Sequence, residues 1–173
     1  PLEGIDTEGI FTLRNVNDTD RVKGYIEEHD VKRALIVGAG FIGLEMAENL
    51  HEYGIQVSVV EMADQVMTPV DYEIATAVHQ HFKSKGVGLH LQEAVTAFRP
   101  VEGGIDVVLK SGLVLRVDMV VLSIGVRPDV KLAREAGLEI GEMGGIKVNE
   151  FLQTSQPDIY AVGDAIEFPN PVS

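Results

Sequence analysis

The 173-residue chain contains no cysteine, which excludes a disulfide framework, thiolate zinc sites and any thiol nucleophile or redox pair within these residues. Basic side chains are scarce: 14 Lys and Arg stand against 27 Asp and Glu, giving a net charge of −13. A surface of that sign repels phosphate backbones and anionic lipid headgroups, so neither nucleic acid nor membrane is an expected partner. No apolar run approaches the roughly 20 residues that span a bilayer. The opening PLEGIDTEG also lacks a charged-then-apolar targeting pattern, and the expected location is cytoplasmic. The chain begins at Pro1 and stops in PNPVS, so a piece excised from a longer protein is expected. Its length is nevertheless sufficient to bury a core without disulfides or structural metal.

What the chain does have is RALIVGAGFIGLEMAENL, Arg33 to Leu50, a buried-looking strand running through a glycine-rich turn into an amphipathic helix. Gly38 supplies the tight turn, Gly40 lets the backbone approach a pyrophosphate, and Gly43 lets the helix start pack closely on the strand. Free N–H groups and the helix dipole then face an anion. Leu35, Ile36 and Val37 form the apolar run of a strand covered on both faces, and Ile42, Met46, Leu50 and Tyr53 repeat at helical spacing. Gly54 is placed for a left-handed cap. Gln56 to Val60 is the next expected strand, and it ends in Glu61, 23 residues after Gly38. That is close to the spacing, roughly 20 residues, at which a carboxylate accepts hydrogen bonds from the ribose hydroxyls of NAD. Met62 opens the loop that follows and is counted with the site, as is Ile42 at the helix start.

Elsewhere, Gly9 to Leu13 is an expected strand, followed by a helix to about His29 that is capped by Asn17 or Asp18 and buries Val22, Tyr25 and Ile26. Asp71 should cap a helix burying Ile74, Val78 and Phe82, ended by Gly86, with a third strand at Val87 to Leu91. This completes the βαβαβ order of a doubly wound sheet. From Ala94 to Val117 the pattern becomes short alternating strands broken by Gly103–Gly104 and Ser111–Gly112, an antiparallel meander. Met119 to Ile124 is again a continuous apolar strand, reaching Gly125 at a carboxyl edge where ligands bind. A helix from about Asp129 to Ala136 and a short strand at Gly145 to Asn149 follow. His79 and His81 project to nearly opposite sides of their helix, so no metal is expected, and no serine lies in a G-x-S-x-G elbow. The expected fold class is α/β, a Rossmann-type three-layer domain with a parallel sheet plus an antiparallel meander.

Four stretches, VGAGFIGLEMAENL, VVEMADQVM, LSIGVRPD and TSQPDIYAVGDA, resemble the pyridine nucleotide-disulfide oxidoreductases, flavoenzymes that carry FAD and NAD(P)H on two related domains. FTLRN, VEMADQVM and VNEFLQTS make the chain most similar to the CoA-disulfide reductase and NADH oxidase branch. The resemblance implies an NADH-binding domain at 1–150, excised from a homodimeric parent, and a segment at 151–173 returning to a missing FAD domain. An interface domain is missing too. It implies that Phe41 lies beside the nicotinamide, that Glu45 faces the flavin side, and that the Gly125 backbone lies against the nicotinamide end. Asp164 matches the acid that holds the sugar-alcohol chain of FAD, and Arg127-Pro128 shapes a turn. The implied activity is hydride transfer from NADH to FAD and onward to a disulfide (CoA disulfide) or oxygen, with no catalytic residue of its own in this segment. FAD belongs to the full-length parent and is not expected here, so the fragment alone is expected to be inactive. A ferredoxin-reducing flavoenzyme domain and a non-catalytic NAD-sensing module remain alternatives.

Overall fold

Alternation of side chains along three central strands sets the layering of the fold. In the computed structural model, which describes residues 2–168, Ala34 and Ile36 of β2 (Arg33–Val37), Val57 and Val59 of β3 (Gln56–Glu61) and Met119 and Val121 of β8 (Met119–Leu122) all belong to one buried cluster. Their neighbours Leu35, Val60 and Val120 belong to a second cluster on the opposite face of the sheet. With a period of two along a strand, a sheet whose central strands bury apolar side chains on both faces must be covered on both sides. Each of the fully buried Val, Leu, Ile and Met side chains among them contributes roughly 1.5–3 kcal/mol.

The helices cover the first face. Helix α1 (Val16–His29), α2 (Phe41–Glu52) and α3 (Tyr72–Ser84) bring Val22, Ala47, Leu50, Ala75 and Phe82 to it. The second face is covered by the meander of β5 (Val95–Val101), β6 (Gly104–Leu109) and β7 (Val114–Val117), through Val95, Phe98, Ile105, Val107, Leu109 and Val117. The three layers are thus helices, parallel sheet and antiparallel sheet, and the meander occupies the face on which a doubly wound sheet carries helices. The parallel sheet also includes β1 (Ile10–Thr12) and β4 (Gly88–Leu91), in the order β1-β8-β2-β3-β4. The chain runs from β2 outward to β4, then returns through the meander to place β8 on the other side of β2. The direction of winding therefore reverses between β2 and β8, and ligands bind at such a switch point, beyond the carboxyl ends of the strands.

Several local expectations need correction. Asn15, not Asn17 or Asp18, caps α1, accepting the Asp18 N–H at 3.1 Å, while the Asp18 carboxylate accepts the Arg14 N–H at 3.0 Å. On α2 the buried residues are Gly43, Leu44, Ala47 and Leu50, whereas Ile42 and Tyr53 are exposed. On α3 Ala75 and Phe82 are buried and Ile74 is exposed. The reason is shared: where a helix lies close to a sheet, small residues such as Gly43, Ala47 and Ala75 take the contact, and a count of large apolar residues misplaces the stripe. Asp71 stands at the N-cap of α3 but makes no side-chain cap bond.

The described chain divides into two compact units that part between Gly125 and Val126. The second contains α4 (Lys131–Glu135), which starts two residues after Asp129, whose Oδ1 accepts the Lys131 N–H at 3.2 Å. The strand expected at Gly145 to Asn149 shortens to β9 (Ile146–Lys147), which pairs in parallel with β10 (Ile166–Glu167). Two-residue strands carry no periodicity, so β10 left no trace in the sequence pattern. Among the described residues no helix is long and apolar enough to cross a membrane.

Candidate functional site

The carboxyl ends of β2, β3 and β8 lie along one edge, since Val37 pairs with Val60 on one side and Leu122 on the other. At this edge the chain leaves β2 through Gly38, whose φ of +100° is open to glycine at little cost. A Cβ on Gly38 would stand 2.6 Å from the Ser123 carbonyl oxygen, and one on Gly43 would overlap the Gly38 carbonyl oxygen. These two glycines are required by the protein's own packing. Gly40 differs: a Cβ there would meet nothing within 4 Å. Its missing side chain leaves open the space in front of the helix start.

Helix α2 begins at Phe41 with no side-chain cap and no acid in its first turn. Its first internal bond is from Leu44 N–H to Gly40 O at 3.0 Å. The N–H groups before Leu44 are therefore the orphan donors of the helix N-terminus, carrying its partial positive charge. Open donors, a positive dipole end and a glycine without steric need together fit a pyrophosphate. Phe41 is 59 % exposed, and Glu45, four residues on and also exposed, lies on the same helix face.

Glu61 is half-buried at the end of β3, and its carboxylate is already engaged by the backbone. Oε2 accepts the Ala39 N–H at 2.7 Å and Oε1 accepts the Ala63 N–H at 2.9 Å. Each oxygen keeps a further acceptor site, so the group can still receive ribose hydroxyls. Met62 beside it is 77 % exposed. Three residues passed over in the sequence complete this frame. Ser123 Oγ donates towards Gly38 O at 2.8 Å and Val37 O at 2.9 Å. Met67 N–H donates to Ala39 O at 2.9 Å. His79 Nε2 accepts the Val66 N–H at 3.2 Å, which fixes the same loop from α3. Their signal is topological rather than local, because Ser123 reaches the cradle from the end of β8, Met67 from the loop after β3 and His79 braces that loop from α3.

Of the residues expected in the site, Gly38, Gly40, Phe41, Ile42, Gly43 and Glu45 lie in the turn and helix. Glu61 and Met62 adjoin them from β3, and Gly125, with φ +94° and no atom where its Cβ would be, follows β8. Asp164 lies in the second unit and is exposed.

A nucleotide cradle at the switch point of a parallel sheet, backed by a meander, is the arrangement of a dinucleotide-binding domain of a flavoprotein oxidoreductase. The chain belongs to the pyridine nucleotide-disulphide oxidoreductase family, whose model matches residues 1–172; members of this family use NAD(H) and FAD. It is 42 % identical over 168 residues to an NADH oxidase of Methanocaldococcus jannaschii, covering 96 % of this chain and 37 % of that protein. It is 32 % identical over 163 residues to a coenzyme A disulfide reductase of Staphylococcus haemolyticus, covering 94 % and 36 %. The crystal structure of reduced Bacillus anthracis CoADR-RHD superposes with a TM-score of 0.89 at 52 % identity, over 95 % of this chain and 29 % of that one. The chain therefore spans about a third of the length of these relatives.

Proposed function

We propose that this chain is the NADH-binding domain of a flavoenzyme that passes hydride from NADH to FAD and on to a disulfide, such as CoA disulfide, or to oxygen. The observation that carries the reading is the cradle itself: Gly40 opening an uncapped helix start, with the Glu61 carboxylate anchored beside it. The donors at the start of α2 hold the pyrophosphate, Glu61 accepts the adenosine ribose hydroxyls, and Ile42 and Met62 border the bound nucleotide. Phe41 and the Gly125 backbone orient the nicotinamide, and Glu45 faces the flavin side. The coenzyme when bound supplies the hydride; the chain supplies orientation.

The NADH-binding domain in this reading runs over 1–150, and 151–173 returns towards the parent's FAD domain. Gly38–Gly43 is the one strand-turn-helix glycine cradle among the described residues. A flavin dinucleotide needs a cradle of its own, and a single exposed acid such as Asp164 does not replace it. FAD therefore belongs to the rest of the parent, a cytoplasmic homodimer in this reading. Support for the disulfide or oxygen outcome comes from the named activities of the two curated relatives. The test is titration of the purified chain with NADH by calorimetry: saturable one-to-one binding that Gly40→Val abolishes supports the reading, and no binding at millimolar NADH overturns it.

A further inference from the structure

We propose that Ser123 is a positioning residue of the nucleotide site, whose hydroxyl fixes the Gly38–Ala39 peptide and through it the Glu61 carboxylate and the donors that follow. This rests on the NADH reading above. A peptide unit is a rigid plane with its C=O and N–H on opposite sides, so its orientation is fully specified once both groups are bonded. In the Gly38–Ala39 unit the carbonyl oxygen lies 2.8 Å from Ser123 Oγ and the N–H donates to Glu61 Oε2 at 2.7 Å. The two holding side chains stand at the carboxyl ends of β8 and β3, Ser123 just past the one and Glu61 the last residue of the other, and these strands flank β2 on either side.

Ser123 Oγ is also 2.9 Å from Val37 O, but that carbonyl already accepts the Ser123 N–H at 2.8 Å. Among the described residues the Gly38 carbonyl takes no backbone donor, so the single hydroxyl proton is needed at Gly38. As a glycine, Gly38 has more alternative backbone conformations than any residue with a side chain. Holding its carbonyl removes the alternative in which the peptide flips and its N–H leaves Glu61. A bonded carbonyl also polarises its own N–H and strengthens the bond to the carboxylate. The next unit repeats the device. Ala39 O accepts the Met67 N–H, so the Gly40 N–H on the other side of that plane points away from Met67, and beside it lies the open space at Gly40.

The experiment compares Ser123→Ala, Glu61→Gln and the double variant of this chain by NADH dissociation constant, thermal midpoint and the Ala39 amide proton resonance of nitrogen-15-labelled protein without nucleotide. Losing one neutral hydrogen bond should weaken NADH binding by about three- to tenfold in Ser123→Ala. The Ala39 resonance should move upfield as its bond to Glu61 loosens. In the Glu61→Gln background the same Ser123 change should cost clearly less, since both act on one peptide. A lower thermal midpoint with an unchanged dissociation constant and resonance would show that Ser123 only satisfies a half-buried carbonyl, and the proposal fails. Fully additive losses overturn it as well. If the unsubstituted chain does not bind NADH, the nucleotide reading itself falls, a result distinct from tight binding that Ser123→Ala leaves untouched.

Discussion

No side chain fits at Gly43, because the Gly38 carbonyl oxygen occupies the place its Cβ would take. The helix start is drawn down onto the turn, and Ser123 Oγ would stand 2.6 Å from the same Cβ. Gly40, three residues earlier, faces open space at a φ of −76° that any residue adopts. The motif thus contains glycines of two kinds: Gly38 and Gly43 are required by the packing of the fold, and Gly40 is not, which leaves it for the ligand in the proposed reading.

Gly43→Ala should therefore destabilise the domain by about 1–3 kcal/mol, the usual cost of overpacking. Gly40→Ala should leave stability within about 0.5 kcal/mol, as expected for a change away from packed features, while weakening NADH binding by roughly tenfold or more as the methyl meets the pyrophosphate. Urea unfolding and NADH titration of both variants check the split. Equal loss of stability in the two would contradict it.

Much of this was legible in the sequence because the relevant signals are local. Strand, turn, helix and strand follow one another between Arg33 and Glu61, each written in its own periodicity or glycine placement. The meander was legible through its turn dipeptides. The residues that brace the cradle were not, because Ser123 is 85 residues from Gly38 and His79 is 13 from Val66. Both are common polar residues whose role appears only when β8 returns beside β2 and α3 packs under the loop. The buried faces of α2 and α3 are not legible either, for a physical reason: close helix-sheet packing selects alanine and glycine, which an apolar periodicity passes over.

Coenzyme choice follows from Glu61. Its carboxylate is held in place by the Ala39 and Ala63 N–H groups, so it cannot easily swing away from a 2′-phosphate. From Glu61 through Phe82 there is no lysine or arginine to receive that phosphate. NADH should bind about ten- to a hundredfold more tightly than NADPH, or roughly 1–3 kcal/mol. Calorimetric titration of both decides the matter, and equal or tighter NADPH binding refutes the role of Glu61.

A second carboxylate serves stability at the far edge of the sheet. Asp118, just before β8, accepts the Lys32 N–H at 2.9 Å, the Arg33 N–H at 2.8 Å and the Arg33 guanidinium at 2.5 Å. Partial burial pushes its pKa up, but the Arg33 side-chain bond and the two backbone bonds outweigh this and hold it below the usual value of 3.8. A carboxyl depressed in the folded state stabilises fully above its unfolded pKa, and that contribution is lost as pH falls through the folded one. Asp118→Asn should cost about 1.5–3 kcal/mol at pH 7, as for hydrogen bonds to a charged group. The difference from the unsubstituted chain should shrink as pH drops below about 4. NADH affinity should not change, because the cradle lies at the opposite ends of these strands. Urea unfolding across pH, with NADH titration at pH 7, tests all three statements.

The last prediction concerns what the chain cannot do alone. It should bind NADH yet neither retain FAD nor oxidise NADH. In the proposed reading its one glycine cradle among the described residues holds NADH, and the chain has no cysteine for a disulfide step. Phe41 is 59 % exposed, and in the proposed reading it takes one face of the nicotinamide while the parent's flavin-bearing domain completes the sandwich. Without that second face the ring is only partly desolvated, so nicotinamide contributes little and most of the affinity comes from the adenosine and pyrophosphate end. ADP-ribose should then bind within about threefold of NADH, a difference of under about 0.7 kcal/mol. The protein should be colourless after mixing with excess FAD and desalting, and NADH turnover with oxygen or CoA disulfide should stay at the free-flavin background. Stoichiometric retained flavin, or acceptor reduction above that background, would mean that the Gly38–Gly43 cradle serves FAD and that the domain has been assigned to the wrong nucleotide.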